Sequence, residues 1–161
     1  MVIDRGVVAG SVSSAAERLY LEDGARLERS ILGAFGDPEI AGEAVAEAFA
    51  QLLRRGDEVR DPKAWVWRSA FAIARGLCSG PVAAHVIPDT PVDQPQWPFD
   101  LLAALDELSP RQREAVVLHH YAGWPLRDVA VFTGSTVGAL KVHLSRGRRR
   151  LRERLGEEGM R

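Results

Sequence analysis

Apolar residues recur along this chain in steps of three and four, and no stretch alternates in the manner of a half-exposed strand. The pattern predicts an all-α protein. In the first half it predicts helices at Ala15 to Phe35, Pro38 to Arg55 and Pro62 to about Ser79. In the second half it predicts Phe99 to Leu108, Pro110 to Tyr121, Leu126 to Thr133, and Val137 to about Leu155. Asp37-Pro38, Asp61-Pro62 and Ser109-Pro110 each set a capping oxygen before a proline suited to the first helical position. Ser109 and Gln112 have the spacing of a capping box. Pro125 is expected to open a helix after the Ala122-Gly123-Trp124 turn. Gly36, Gly56 and Gly80-Pro81 end the first three helices.

The faces follow from the same period. Ala41, Val45, Ala48, Phe49 and Leu52 form one buried face, with Glu43 and Glu47 elsewhere on the surface four residues apart. In the third helix most of Trp65, Phe71, Ile73 and Leu77 are expected in the core, and Trp67, roughly 60° round from Trp65 on its far side, is placed where partial exposure is open to it. Five prolines between Gly80 and Pro98 exclude a helix there and predict a semi-extended tether. The chain then divides into residues 1–79, a linker at 80–98, and residues 99–161.

The last helix carries the clearest chemistry. Lys141, Arg146, Arg148, Arg149, Arg150, Arg152 and Arg154 face one acid, Glu153, while Val137, Leu140, Leu144, Leu151 and Leu155 make an apolar stripe. Packed on that stripe, the helix turns its guanidinium groups outward, a surface suited to phosphates. Leu126 to Leu144 reads as a helix-turn-helix: Ala130 is small at the crossing, Gly134 suits a positive-φ turn, and Ser135 or Thr136 can cap the second helix. In such a motif the start of the second helix meets base edges in the major groove. The candidates there are Thr136, Gly138, Ala139, Lys141, Val142 and His143, with Ser145 also on the DNA-binding helix. Arg146, Arg148 and Arg149 lie further along as phosphate contacts.

Charge adds a division that the net value of −1 conceals. Residues 1–100 hold 10 basic and 15 acidic side chains, and residues 101–161 hold 11 and 7. The halves are built for different partners. Cys78 is the single cysteine, which excludes an intrachain disulfide and a cysteine-based zinc site and fits a reducing cytoplasm. It is expected as a small buried hydrophobe. No basic flank with a long apolar core opens the chain, and no apolar run approaches the roughly 20 residues of a membrane span. His119 and His120 are joined by no cysteine or carboxylate cluster, and His85 has no partners in the linker. No metal, cofactor, small-molecule substrate or catalytic role is therefore expected.

The second half resembles region four of the sigma-70 superfamily in its short extracytoplasmic-function (ECF) class. The residues that carry the resemblance are Leu108-Ser109-Pro110, Arg113 to Leu118, Asp128-Val129-Ala130 and the run from Ala139 to Arg148. Residues 36–49 and 61–77 resemble region two. The resemblance implies a subunit that binds the RNA polymerase core through the second helix, with Glu43 and Glu47 at the matching acidic positions. It also implies promoter DNA bound by the last helix, the third helix and the Arg54–Asp61 loop acting in promoter opening, and a cytoplasmic protein open to control by an anti-sigma factor. Three departures fall in the first half: Ala46 replaces the usual glutamine, Gly76 replaces a common asparagine, and Gly80-Pro81 stops the basic continuation of the third helix. They motivate an alternative, a sigma-like regulator that binds polymerase, DNA or a partner without opening promoters. A dimeric helix-turn-helix repressor would leave the acidic first half without a role.

Overall fold

The computed structural model describes residues 13–79 and 98–156. Residues 80–97 of the expected tether, with His85, and both chain ends lie outside the described residues. Every described element is helical. Helix α1 covers residues 13–35, with a π turn at Tyr20–Gly24 before the segment Ala25–Phe35. Then follow α2 (Pro38–Arg55), a 3₁₀ turn (Gly56–Glu58) and α3 (Pro62–Cys78). The second group is α4 (Phe99–Asp106), α5 (Pro110–Val116, continued by a π turn at Val117–Tyr121), α6 (Leu126–Thr133) and α7 (Val137–Leu155).

Local chemistry sets these boundaries. The Asp37 carboxylate accepts from the Glu39 and Ile40 amides at 2.9 and 3.1 Å, and that of Asp61 from Ala64 at 3.0 Å. Ser109 and Gln112 close a reciprocal capping box at 3.3 Å each way. Such caps satisfy amides that the first turn leaves orphaned. Gly36 ends α1 at φ 78°, a region that a side chain would strain.

α1, α2 and α3 pack around Leu27, Ile31, Ala44, Val45, Ala48, Val66 and Phe71, all nearly inaccessible. Full burial of each large member contributes roughly 1.5–3 kcal/mol. α5 and α7 cross around Val117, Leu118, Leu140 and Leu144, with α4 and α6 completing the second group. The groups meet where α1 lies against α4 and α5, and one continuous apolar cluster runs through both.

Three arginines cross this junction. Arg26 of α1 donates to the Ala122 carbonyl at 2.9 Å and to that of Tyr121 at 3.4 Å. It thereby caps carbonyls at the end of the α5 π turn. Arg75 of α3 pairs with Glu114 of α5 and lies 4.8 Å over the Phe132 ring. Arg113 of α5, almost fully buried, donates through Nε to the Gly33 carbonyl at 2.6 Å and pairs through Nη1 with Asp106. Between them the Trp124 ring meets Trp67, Phe71 and Phe132.

That junction overturns the expected exposure of Trp67. Its ring is 4% exposed, covered by Trp124 and Arg26, and its indole N–H donates to the buried Asp23 carboxylate. Helical counting within the first half left this face open, but the second half closes it. Two other expectations also fail. Cys78, expected as a buried hydrophobe, is exposed at the end of α3, where Leu77 is exposed as well. Val137 is 38% exposed, because the first turn of α7 projects beyond the contact that buries Leu140.

Candidate nucleic-acid interface

The interface is assembled around the α6–turn–α7 unit. Gly134 reverses the chain at φ 63°, and the Ser135 amide returns to the Ala130 carbonyl at 2.9 Å. This is the left-handed closure that lets α6 stop while its last carbonyls stay bonded. Of the two capping candidates, Thr136 takes the role: its hydroxyl accepts from the Ala139 amide at 3.1 Å. Leu140, Leu144, Gly147 and Leu151 face the core, so Lys141, Ser145, Arg148 and Arg152 face out.

Gly147 fixes how closely α7 lies on α5. A Cβ there would stand 3.0 Å from a Val116 methyl and 3.6 Å from the Gln112 Cβ. A glycine inside an exposed helix costs about 1 kcal/mol relative to alanine. Its place amid arginines was the available signal for this close crossing, and it was not used.

The predicted DNA-facing residues separate into groups. Lys141, Ser145 and Arg148 fall on one helical stripe and are exposed. Val142 is 46% exposed beside them, and Gly138 is exposed without adding a polar group. Arg146 is exposed, while exposed Arg149 pairs with Glu153 at 3.7 Å. His143 does not join them. It is half-buried and lines a cleft of about 710 Å³ between the two helical groups, with Arg75, Cys78, Arg113 and Glu114. The thiol of Cys78 is pushed up by partial desolvation and by Asp37.

The acidic candidates lie on α2. Glu43 is exposed. Glu47 accepts from Gln51 and Arg54, each at 2.9 Å, and these bonds hold its carboxyl below the usual range. Ala46 is exposed between them, and Gly76 on α3 has open space around it. Both departures are therefore surface features, not packing requirements.

The fold and this site define an all-helical protein with a helix-turn-helix unit and a cationic second helix. Residues 99–151 match the family described as "Sigma-70, region 4". A segment of 57 residues is 44% identical to the RNA polymerase sigma factor CarQ of Myxococcus xanthus, and spans 35% of this chain and 33% of that protein. The chain thus covers about a third of that relative's length. The sigma factor RpoE of Bartonella quintana, solved with the anti-sigma factor NepR, superposes with a TM-score of 0.64 at 24% identity, over 91% of this chain and 99% of that one. CnrH, solved with the cytosolic domain of CnrY, gives a TM-score of 0.64 at 21% identity, over 92% and 95%. Residues 99–151 thus match sigma-70 region 4, and the described residues share an all-helical fold with these two solved proteins. No described helix is long and apolar enough to cross a membrane.

Proposed function

We propose that this chain is an RNA polymerase sigma factor of the ECF type, binding the core enzyme and directing initiation at specific promoters. The observation that carries the proposal is the capped, outward-facing cationic helix α7 inside a segment that matches sigma-70 region four. In this reading residues 1–79 are the polymerase-binding unit, residues 80–98 the tether, and residues 99–161 the promoter-binding unit. Glu43 and Glu47 meet the core enzyme. Thr136, Lys141, Val142, His143 and Ser145 lie toward the bases, and Arg146, Arg148 and Arg149 hold phosphates. Apolar contact from Val142 suits a thymine methyl, and Lys141 suits a guanine edge.

His143 is half-buried and lines the cleft between the two helical groups, so it offers DNA less of its ring than Lys141 or Val142 while they are closed. The anti-sigma factor NepR, seen bound to one protein of this fold, makes a similar regulator a fitting partner here. The burial of Trp67 and Phe71 under Trp124 favours the second reading, a regulator that binds polymerase or DNA without opening promoters, for as long as the junction stays closed. Transcription from a genomic promoter library with purified core polymerase separates the two. Specific run-off products support the initiation factor. Core binding without any transcript leaves only the second reading.

A further inference from the structure

A second feature of α7 lies on the side away from the junction. Lys141, Ser145, Arg148 and Arg152 follow one another at steps of four, three and four, which makes a single stripe along the helix. Opposite them, the π turn of α5 presents His119 and His120, and a cleft of about 340 Å³ lies between, floored by Leu126 and Leu144. Among the described residues no carboxylate lines it. This distinguishes the stripe from the neighbouring cations: Arg149 faces Glu153 at 3.7 Å and Arg154 is held by Glu107 at 2.7 Å. The cleft therefore concentrates positive charge that no described carboxylate lining it neutralises, which is the requirement for a fixed anion.

The histidines are oriented for this use. His119 Nδ1 lies 2.7 Å from the Trp124 carbonyl, an acceptor only, so Nδ1 carries the hydrogen of that bond. The His120 ring stands 4.9 Å from that of His119 and is exposed. The π turn, by inserting an extra residue in α5, alters the direction in which this end of the helix projects its side chains.

We infer that the cleft between the α5 π turn and the Lys141–Arg152 stripe holds backbone phosphate of duplex DNA, and that His120 takes up a proton as the phosphate arrives. The inference rests on the DNA-binding part of the proposed function and adds to it His119, His120 and Arg152, which lie outside the base-reading residues. Without DNA, desolvation together with His119 and Arg148 holds the His120 imidazole below its ordinary value. The groups facing it are His119 of α5 and Lys141, Arg148 and Arg152 of α7, and α6 contributes only Leu126. A phosphate brings the missing negative charge and raises the value in the complex. Affinity then increases as pH falls through the bound-state value and stops increasing below the lower free-state value.

The test is fluorescence anisotropy of the full chain with a labelled mixed-sequence duplex, from pH 8 down to pH 5.5, comparing wild type with His120→Gln and Arg152→Gln. One linked proton changes affinity by at most about tenfold per pH unit. The wild type is expected to tighten several-fold across the range, and His120→Gln to lose most of that gain. Arg152→Gln is expected to lower the salt slope by about 0.9 at either end of the range. The His120 ring proton resonances are expected to titrate at higher pH with duplex present. Parallel pH profiles for wild type and His120→Gln, with DNA still bound, overturn the inference and leave the DNA-binding reading standing. Absence of duplex binding by the wild type at every pH refutes both.

Discussion

Trp124→Ala tests whether the two helical groups close on one another as described. The ring lies 6.2 Å from Trp67, 6.3 Å from Phe71 and 5.5 Å from Phe132, measured between centroids. Two of these contacts reach across the junction and one stays within the second group. Each aromatic pair contributes about 0.5–1.5 kcal/mol beyond area burial, so the two crossing pairs amount to about 1–3 kcal/mol. Truncating a fully buried tryptophan costs about 3–5 kcal/mol, and Trp124 is only half-buried, so about 3 kcal/mol in total is expected. At roughly 2–4 °C per kcal/mol for a chain of this length, the melting temperature falls by roughly 6–12 °C. Trp67 should also meet water, with a red shift in tryptophan emission. A double-mutant cycle with Phe71→Leu isolates the crossing term, expected at about 0.5–1.5 kcal/mol. A fall of less than about 2 °C, together with zero coupling, would refute the closed junction.

Three further outcomes follow from the site. Lys141→Ala and Arg148→Ala should each weaken duplex binding and lower the slope of log affinity against log salt by about 0.9, read by anisotropy at several salt concentrations; an unchanged slope in both places the DNA surface elsewhere. Thr136→Ala removes the acceptor for the Ala139 amide and should cost about 1 kcal/mol in denaturant unfolding, with Thr136→Ser restoring most of it. Glu47 contributes stability that is fully present above the ordinary carboxylate value and is lost as pH falls through its lowered folded value. The stability difference between wild type and Glu47→Gln should therefore be widest near neutral pH and close in acid, and a gap independent of pH would show that the Gln51 and Arg54 bonds do not hold its charge in solution.

What could be read along the chain was whatever residues within about one helical turn decide. Asp37, Asp61 and Ser109 cap the helices they precede, Gly134 takes the left-handed turn, and Leu140, Leu144 and Leu151 face inward, because capping bonds and helical period act over three or four positions. The cationic character of α7 and its place in a helix-turn-helix were legible for the same reason.

Contacts between distant residues followed a different logic. Arg26 meets Ala122 across 96 positions, Arg75 meets Glu114 across 39, and Trp67 disappears beneath Trp124, pairings that no local periodicity encodes. Hence Trp67 was expected near water and is buried, while Cys78 was expected inside and is exposed at the end of α3. The same limit hid the cleft beside His119 and His120. Adjacent histidines carry no signature as a pair, and only the crossing of α5 over α7, fixed by the missing side chain at Gly147, sets them opposite Lys141, Arg148 and Arg152. Sequence by itself determined which helices form and which of them is cationic. Tertiary packing decided which of those charges are compensated and which aromatic faces are closed, because burial and electrostatic pairing depend on distances between elements and not on the order of residues within them.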